Sequence, residues 1–281
     1  MTGPRTTVVI ATRDRAGELA RSLGMLSALR PRPPIVVVDN ASTDDTGARA
    51  LREFPHARLI RLPRNAGAAA RNVGVRAADT PFVAFSDDDS WWAADALPRA
   101  EVLFDAYPRL GLLAARTLVG PGEKPDPVCA EMAASPLGKP ADLPGPLVLG
   151  FLACSAIVRR AAFLDAGGFS PVLHFAAEEK LLSYDLAARG WALCYADEIV
   201  AHHHPSSTRP PSAWRHRLER RNNALITWMR RPPAECVRAA RPLVRDPRAA
   251  ASALRRLPRA LAARDPLPGA VETQVRELER R

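Results

Sequence analysis

Three consecutive carboxylates, Asp87, Asp88 and Asp89, close the run Phe82-Val83-Ala84-Phe85-Ser86. Adjacent anions repel, and a cation placed between them relieves that repulsion. Hard oxygen donors of this kind suit Mg2+ or Mn2+, ions that also hold phosphate oxygens. The plainer reading is a solvated acidic turn after a strand, with Asp89 or Ser90 capping the next helix. Three further groups could do chemistry: Thr12-Arg13, Asp39-Asn40 and the run His202-His203-His204. Adjacent histidine side chains cannot all converge on one ion, because zinc sites space their ligands by a turn or more. Trp91 and Trp92, just after the acids, suit core packing or the stacking of a ligand.

These residues need elements to hold them. Residues 82–85 read as a buried parallel strand and 7–11 as a strand buried on both faces; 35–38 and 57–62 read as two further strands. Helical spacing follows each in turn: Leu19, Leu23, Leu26 and Leu29 within 16–29, then a helix ending near Phe54, then 68–78 and 95–107. Strand–helix alternation argues for a parallel sheet covered on both faces. Thr12 and Arg13, Asp39 and Asn40, and the three acids then fall at the carboxyl ends of strands, where open α/β sheets bind ligands. The loop after the first strand lacks G-x-G-x-x-G, and no P-loop occurs. A metal on the carboxylates is the device left for holding phosphate.

The second half is less regular. Residues 110–115 form a strand, 118–146 a long loop, 147–158 one or two strands and 159–165 a short helix. Residues 178–189 form a helix ended by Gly190, followed by short strands at 191–195 and 199–201. Pro210 and Pro211 mark a boundary, with a helix over 212–229 and two or three arginine-rich helices beyond.

The chain has 281 residues, 47% apolar and 25% charged, a globular composition. Its net charge of +10 is unevenly spread. Residues 206–281 hold 18 arginines against 7 acids, which leaves 22 basic residues against 23 acids before them. Cys129, Cys154, Cys194 and Cys236 show no C-x-x-C pair, so a reducing cytosol is the expected compartment. No N-terminal signal pattern is expected, and the apolar stretch 147–158 is too short to span a bilayer.

Several motifs in register carry a family resemblance across residues 5–205. They are Val8-Val9-Ile10-Ala11-Thr12-Arg13-Asp14-Arg15, Val37-Val38-Asp39-Asn40-Ala41-Ser42, Asn65-Ala66-Gly67 with Ala70-Arg71-Asn72-Val73-Gly74, and Phe85-Ser86-Asp87-Asp88-Asp89. This series resembles a family 2 glycosyltransferase of the GT-A fold. The resemblance implies a Rossmann-like, mostly parallel α/β sheet flanked by helices. It implies an inverting transferase that uses a nucleotide-diphosphate sugar and Mg2+ or Mn2+. Residues 1–205 would form the catalytic domain, with 1–116 as the nucleotide-sugar half and 117–205 as the acceptor half; 206–281 would be a basic helical extension.

The same resemblance implies roles. Asp39 would read the nucleobase, with Thr12 and Arg13 lining its pocket; a helix N-cap is the alternative for Asp39. Asn65 and Arg71 would lie beside the nucleotide, though Arg71 also fits a surface arginine on an Ala-rich helix. Asp87 would be shared between ribose and metal, and Asp89 would ligate the metal. Asp88 is grouped with the nucleotide contacts and is the acid expected to be dispensable. Of the histidines, His203 aligns best with a metal-side position. Glu179 aligns with the general base and Glu178 is the second candidate; the family pattern is Glu-Asp where this chain has Glu-Glu. First-turn acids favoured by the helix dipole are the structural alternative.

UDP- or dTDP-sugars are the expected donors. The acceptor is an unnamed hydroxyl, with lipid-linked, polysaccharide and natural-product classes all open. Arg with Trp214 and Trp228 on the C-terminal helices suits an anionic leaflet, hence a cytoplasmic protein peripheral to the inner membrane face, or simply a solvated basic surface. Nucleic acid is not expected, since no recognised module is present. Two other readings stand beside the transferase: a sugar nucleotidyltransferase, and a non-catalytic nucleotide-sugar- or membrane-binding protein.

Overall fold

Alternate residues of the first strand enter opposite cores. The computed structural model describes residues 3–206 and 212–280. In β1 (Thr6–Thr12), Val8 and Ile10 pack with Leu19, Leu23 and Leu26 of α1 (Ala16–Ser27). Val9, between them, packs on the other face with Val75 of α3 (Ala70–Ala77). β2 (Ile35–Asp39) and β4 (Phe82–Ser86) are buried throughout in the same way, and β3 (Arg58–Arg61) closes this side of the sheet. α2 (Thr46–Glu53) and α4 (Ala96–Ala106) join α1 on one face. α6 (Arg160–Asp165) and α7 (Glu178–Ala188) join α3 on the other. Two-sided cover is why these strands read as continuous apolar runs rather than alternating ones.

Gly74 sets how closely α3 approaches β1. A Cβ there would fall 2.4 Å from Val9 Cγ1, so only glycine allows this approach.

The second half adds β5 (Ser90–Trp92), β6 (Leu110–Val119), β7 (Lys124–Pro125), β8 (Ala156–Arg159) and β9 (Ala192–His203). The sheet order is β3-β2-β1-β4-β8-β6-β9-β5, with β7 on β6. The fold is α/β with a helical C-terminal extension, as expected. The parallel pairing runs across β3-β2-β1-β4; past β4 the sheet is mixed, with β8 antiparallel to both β4 and β6, and β6 parallel to β9.

Three local expectations need correction. The segment 118–146 is not one long loop, because β6 runs on to Val119 and α5 (Pro127–Ala133) follows. Asp126 caps α5 by accepting from Val128 N at 3.0 Å, and Pro127 occupies the first turn, where a missing N–H costs nothing. The strands expected at 191–195 and 199–201 are one strand, β9, with a register shift between Ala115 and Arg116 on its partner β6. The helix cap considered at Asp89 or Ser90 is not formed there: Ser90–Trp92 pair with the end of β9, and α4 has Asp95 at its N-cap.

Beyond the boundary expected at Pro210 and Pro211, which lie outside the described residues, come α8 (Ser212–Arg230), α9 (Pro233–Val244), α10 (Pro247–Ala262) and α11 (Gly269–Leu278). α8, α10 and α11 share a core with what precedes them: Leu149, Leu173, Leu181 and Tyr184 pack with Leu225, Ile226, Met229, Ala260 and Val275. Several tail arginines are internal ties. Buried Arg231 binds both Glu272 and Glu279, and Arg230 binds Asp185 of α7.

Candidate functional site

The carboxyl ends of β2, β1 and β4 lie side by side. Thr12 is paired in register with Asp39, and Ile10 with Ser86, so the acids after β4 sit two strands from Asp39. Two strand spacings are about 10 Å.

Of the three acids, Asp88 and Asp89 are buried, and Asp88 faces the end of β1. Its carboxylate accepts from Thr12 Oγ1 at 2.9 Å, and its backbone oxygen accepts from Ser22 Oγ at 2.8 Å. Burial, reinforced by Asp87 and Asp89, raises its carboxyl to about 7, although Arg15 opposes the shift. Arg15 is the member of the site that the sequence reading did not single out. Its Nη1 lies 3.6 Å from Asp88 Oδ1 and 3.7 Å from Asp89 Oδ2. One guanidinium thus serves two acids from the loop that follows β1.

Asp89 is held from several sides. Its Oδ2 accepts from Ser206 N at 3.0 Å, and its backbone oxygen accepts from His204 N at 2.8 Å. The β5/β9 register pairs Ser90 with His203, which brings His203 Nε2 to 3.3 Å from Asp89 Oδ1. The neighbouring histidines go elsewhere: His202 Nδ1 meets Glu123 at 3.1 Å, and both His202 and His204 pack on Trp91. Trp91 and Trp92 are buried.

Asp87 is more open and takes a hydrogen bond from Arg71 Nη2. Arg71 is a buried residue of α3, not a surface one. Burial pulls its guanidinium pKa down, and the acids Asp87, Glu178 and Glu179 more than offset that pull. Glu178 and Glu179 open α7. Burial raises the Glu178 carboxyl to about 8, with Glu179 adding to the shift and Arg71 opposing it. Burial also raises Glu179, opposed by its own backbone N–H and by Arg71. Glu178 Oε2 is buried and receives no hydrogen bond among the described residues.

Asp39 anchors the neighbouring strand end. Its Oδ1 accepts from Ser42 N at 2.8 Å, while buried Oδ2 receives no hydrogen bond and has Arg61 Nε at 3.6 Å. An open buried acceptor costs about 1–3 kcal/mol, which a ligand N–H would recover. Asn40 fastens the next loop, accepting from Ala66 N at 2.7 Å and donating to Gly67 O at 3.2 Å. Asn65 Oδ1 accepts from Gly67 N at 2.8 Å, so it shapes its own turn. Exposed Arg13 pairs with Asp14 at 3.3 Å. Among the described residues, no hydrogen bond or ion pair joins Asn65 or Arg13 to the acids.

Thr12, Arg15, Asp88, Asp89 and His203 therefore form one connected set. Arg71, Asp87, Glu178 and Glu179 form a second, joined to the first through the 87–89 turn. Among the described residues no three His, Cys, Asp or Glu side chains converge on a cation position. In donor type, the carboxylates of Asp87 and Asp89 with the imidazole of His203 suit a hard divalent ion.

Residues 7–166 match the model of Glycosyl transferase family 2. A pre-mycofactocin glycosyltransferase of Mycobacterium tuberculosis is 33% identical over 221 residues, covering 72% of this chain. The chain spans only 43% of that relative's length. An N-acetylglucosaminyl-diphospho-decaprenol L-rhamnosyltransferase of the same species is 27% identical over 245 residues, covering 73% of this chain and 78% of the relative. Among solved structures, a Pyrobaculum calidifontis mannosyltransferase in complex with GDP-Man and Mn2+ superposes with a TM-score of 0.63 at 22% identity, over 99% of this chain and 81% of that one. The S. aureus protein TarS in complex with UDP-GlcNAc gives 0.60 at 19% identity, over 79% and 66%. At such identities the two structures show a shared fold.

Proposed function

The chain belongs to glycosyl transferase family 2, and on that premise we propose that it moves a sugar from a nucleotide-diphosphate sugar to an acceptor hydroxyl with inversion at the anomeric carbon. The observation that carries this reading is Arg71: Asp87 on one side and Glu178–Glu179 on the other act on the same buried guanidinium. In-line displacement needs a site for the leaving diphosphate and a proton acceptor across the reacting carbon, held in fixed relation. Two carboxylate groups gathered around one cation supply such a relation.

Glu179 is the proposed general base, with Glu178 the second candidate. A base acts best when its pKa approaches the operating pH, and burial moves both carboxyls upward. The base takes the acceptor's proton as its oxygen forms the bond to the anomeric carbon. The bond from that carbon to the diphosphate oxygen breaks in the same step. Asp39 is assigned to the nucleobase, through the carboxylate oxygen that receives no hydrogen bond among the described residues. Thr12, Arg13, Asn65 and Arg71 complete the nucleotide side, with Asp88 acting through Thr12 and Arg15. Asp87, Asp89 and His203 would hold Mn2+ or Mg2+. Such an ion supplies Lewis-acid neutralisation of the charge on the departing diphosphate.

For the acceptor, the proposal favours a lipid-linked hydroxyl reached from an anionic membrane surface. One relative is named for a diphospho-decaprenol-linked substrate. Here α9 and α10 expose Val237, Val244, Leu254 and Leu261 beside Arg238, Arg241, Arg245 and Arg255. Apolar side chains interleaved with arginine suit the interface of an anionic leaflet. Among the described residues no helix is long and apolar enough to cross a membrane.

A thermal-shift screen of UDP-, dTDP- and GDP-sugars, with and without Mn2+, tests the donor side. A metal-dependent rise in melting temperature with one sugar nucleotide is expected. No response to any nucleotide sugar would contradict the proposal.

A further inference from the structure

The chain enters α7 in a conformation that side chains resist. His174, Ala176 and Ala177 have φ of 67°, 73° and 58°, three left-handed non-glycine residues within four positions. Such residues persist only where their surroundings hold them, and they gather at functional sites. The next two residues are Glu178 and Glu179.

What holds this segment comes from the C-terminal extension. Asn222 of α8 is 0% exposed, and its Nδ2 lies 2.8 Å from Phe175 O, 2.5 Å from Ala176 O and 3.3 Å from Leu173 O. Arg221 is 4% exposed, and its Nη2 donates to Leu173 O at 2.7 Å. Arg221 Nε also donates to Asn222 Oδ1 at 2.8 Å, which turns the amide nitrogen toward the carbonyls. Burying a guanidinium next to Arg256 is unfavourable, and it lowers Arg221 to about 10. An apolar residue would fill this space without that penalty, so the carbonyls of 173–176 are what the two side chains are there to meet.

The far side of the segment is gripped as well. His174 O accepts from Ala68 N at 2.7 Å, and a Cβ on Gly67 would fall 2.0 Å from that oxygen. Gly67–Ala69 leads directly into α3 and Arg71. The strained segment thus joins the Arg71 side of the cleft to α8, with the Glu178–Glu179 pair at its end.

We infer that Arg221 and Asn222 are positioning residues, which fix the left-handed entry to α7 and so set where the Glu178–Glu179 pair stands relative to Arg71 and Asp87. The C-terminal extension then completes the catalytic site. This inference rests on the proposed reading of Glu179 as general base.

The test uses the full chain and the variants Asn222→Ala and Asn222→Asp. The aspartate keeps the volume and removes the amide donor. Folding is followed by thermal melting, and local opening by hydrogen–deuterium exchange over 173–179. Turnover is read as nucleoside diphosphate released from the sugar nucleotide that binds wild type, with water taking the sugar in place of the acceptor hydroxyl. Both variants are expected to fold, to exchange faster over 173–179, and to lose at least about tenfold in kcat with donor KM within about twofold. If Asn222→Ala does not fold, Asn222→Asp and Arg221→Lys carry the same readouts. Unchanged exchange over 173–179 in a folded variant would overturn the clamp. Faster exchange with undiminished kcat, or full kcat in Asn222→Asp, would overturn the positioning role. A wild-type chain with no turnover would overturn the parent reading and the positioning role with it, while the exchange data would still decide the clamp.

Discussion

Burial of Glu178 favours its protonated form. Burial raises its carboxyl from 4.5 to about 8, so between those values the folded chain keeps a proton that the unfolded chain has released. Stability must then fall as pH rises through that window. The contribution is complete below the unfolded value and is gone above about 8. Melting temperatures across this range should fall with pH in wild type and fall less in Glu178→Gln. Equal slopes in the two proteins would show that Glu178 does not bury its proton. Arg15 teaches a related lesson at this scale. As a residue type it was in plain view in the sequence, yet nothing in the spacing of Arg13, Asp14 and Arg15 says which guanidinium turns toward Asp88 and Asp89. The path of the loop decides it: Asp14 takes a positive φ of 53°, and Arg13 is left exposed.

Elements fix the site through close packing at a few points. At Gly74 an added methyl would fall 2.4 Å from Val9 Cγ1, and α3 would have to move off β1, taking Arg71 with it. Gly74→Ala should cost about 1–3 kcal/mol, as overpacked cores do, and donor binding should weaken beyond what the melt accounts for. A stable variant with normal donor affinity would show that α3 has room to shift. Strand–helix alternation made β1, β2 and β4 legible because each is buried on both faces, so its apolar run is unbroken; β3, with exposed Arg58 and Arg61 at its ends, was legible only from its place in the alternation. The edge at which Thr12, Asp39 and Asp87 meet followed from that alternation. β9 was read as two pieces because Asp197 and Glu198 interrupt its apolar pattern on an exposed stretch. α5 was missed because a helix of 7 residues within a proline- and glycine-rich segment leaves little periodicity to read. His203 was legible as one of three, and the β5/β9 register is what separates it from its neighbours.

At the scale of the molecule, the C-terminal extension does more than carry charge. The arginine count suggests a basic surface, but Arg221, Arg230 and Arg231 are spent inside, on the Leu173 carbonyl, Asp185, Glu272 and Glu279. Removing the extension would bare Leu173, Leu181 and Tyr184, so truncation cannot test membrane binding cleanly. Surface changes can. The 281-residue chain should pellet with vesicles containing anionic phospholipid and not with neutral ones. Paired Val244→Asp and Leu254→Asp changes should cut pelleting several-fold without lowering the melting temperature. Pelleting that ignores both the lipid charge and these substitutions would leave the membrane role without support. The central claim is tested most directly by assaying wild type and Glu179→Gln side by side with the sugar nucleotide that binds, in Mn2+, reading both donor affinity and the product released. Sugar transfer through a carboxylate base requires comparable donor affinity in the two proteins, nucleoside diphosphate from wild type, and a loss of about 10²–10⁴-fold in kcat for the variant. Pyrophosphate-dependent formation of nucleoside triphosphate and sugar 1-phosphate instead, or equal turnover by Glu179→Gln, would contradict it.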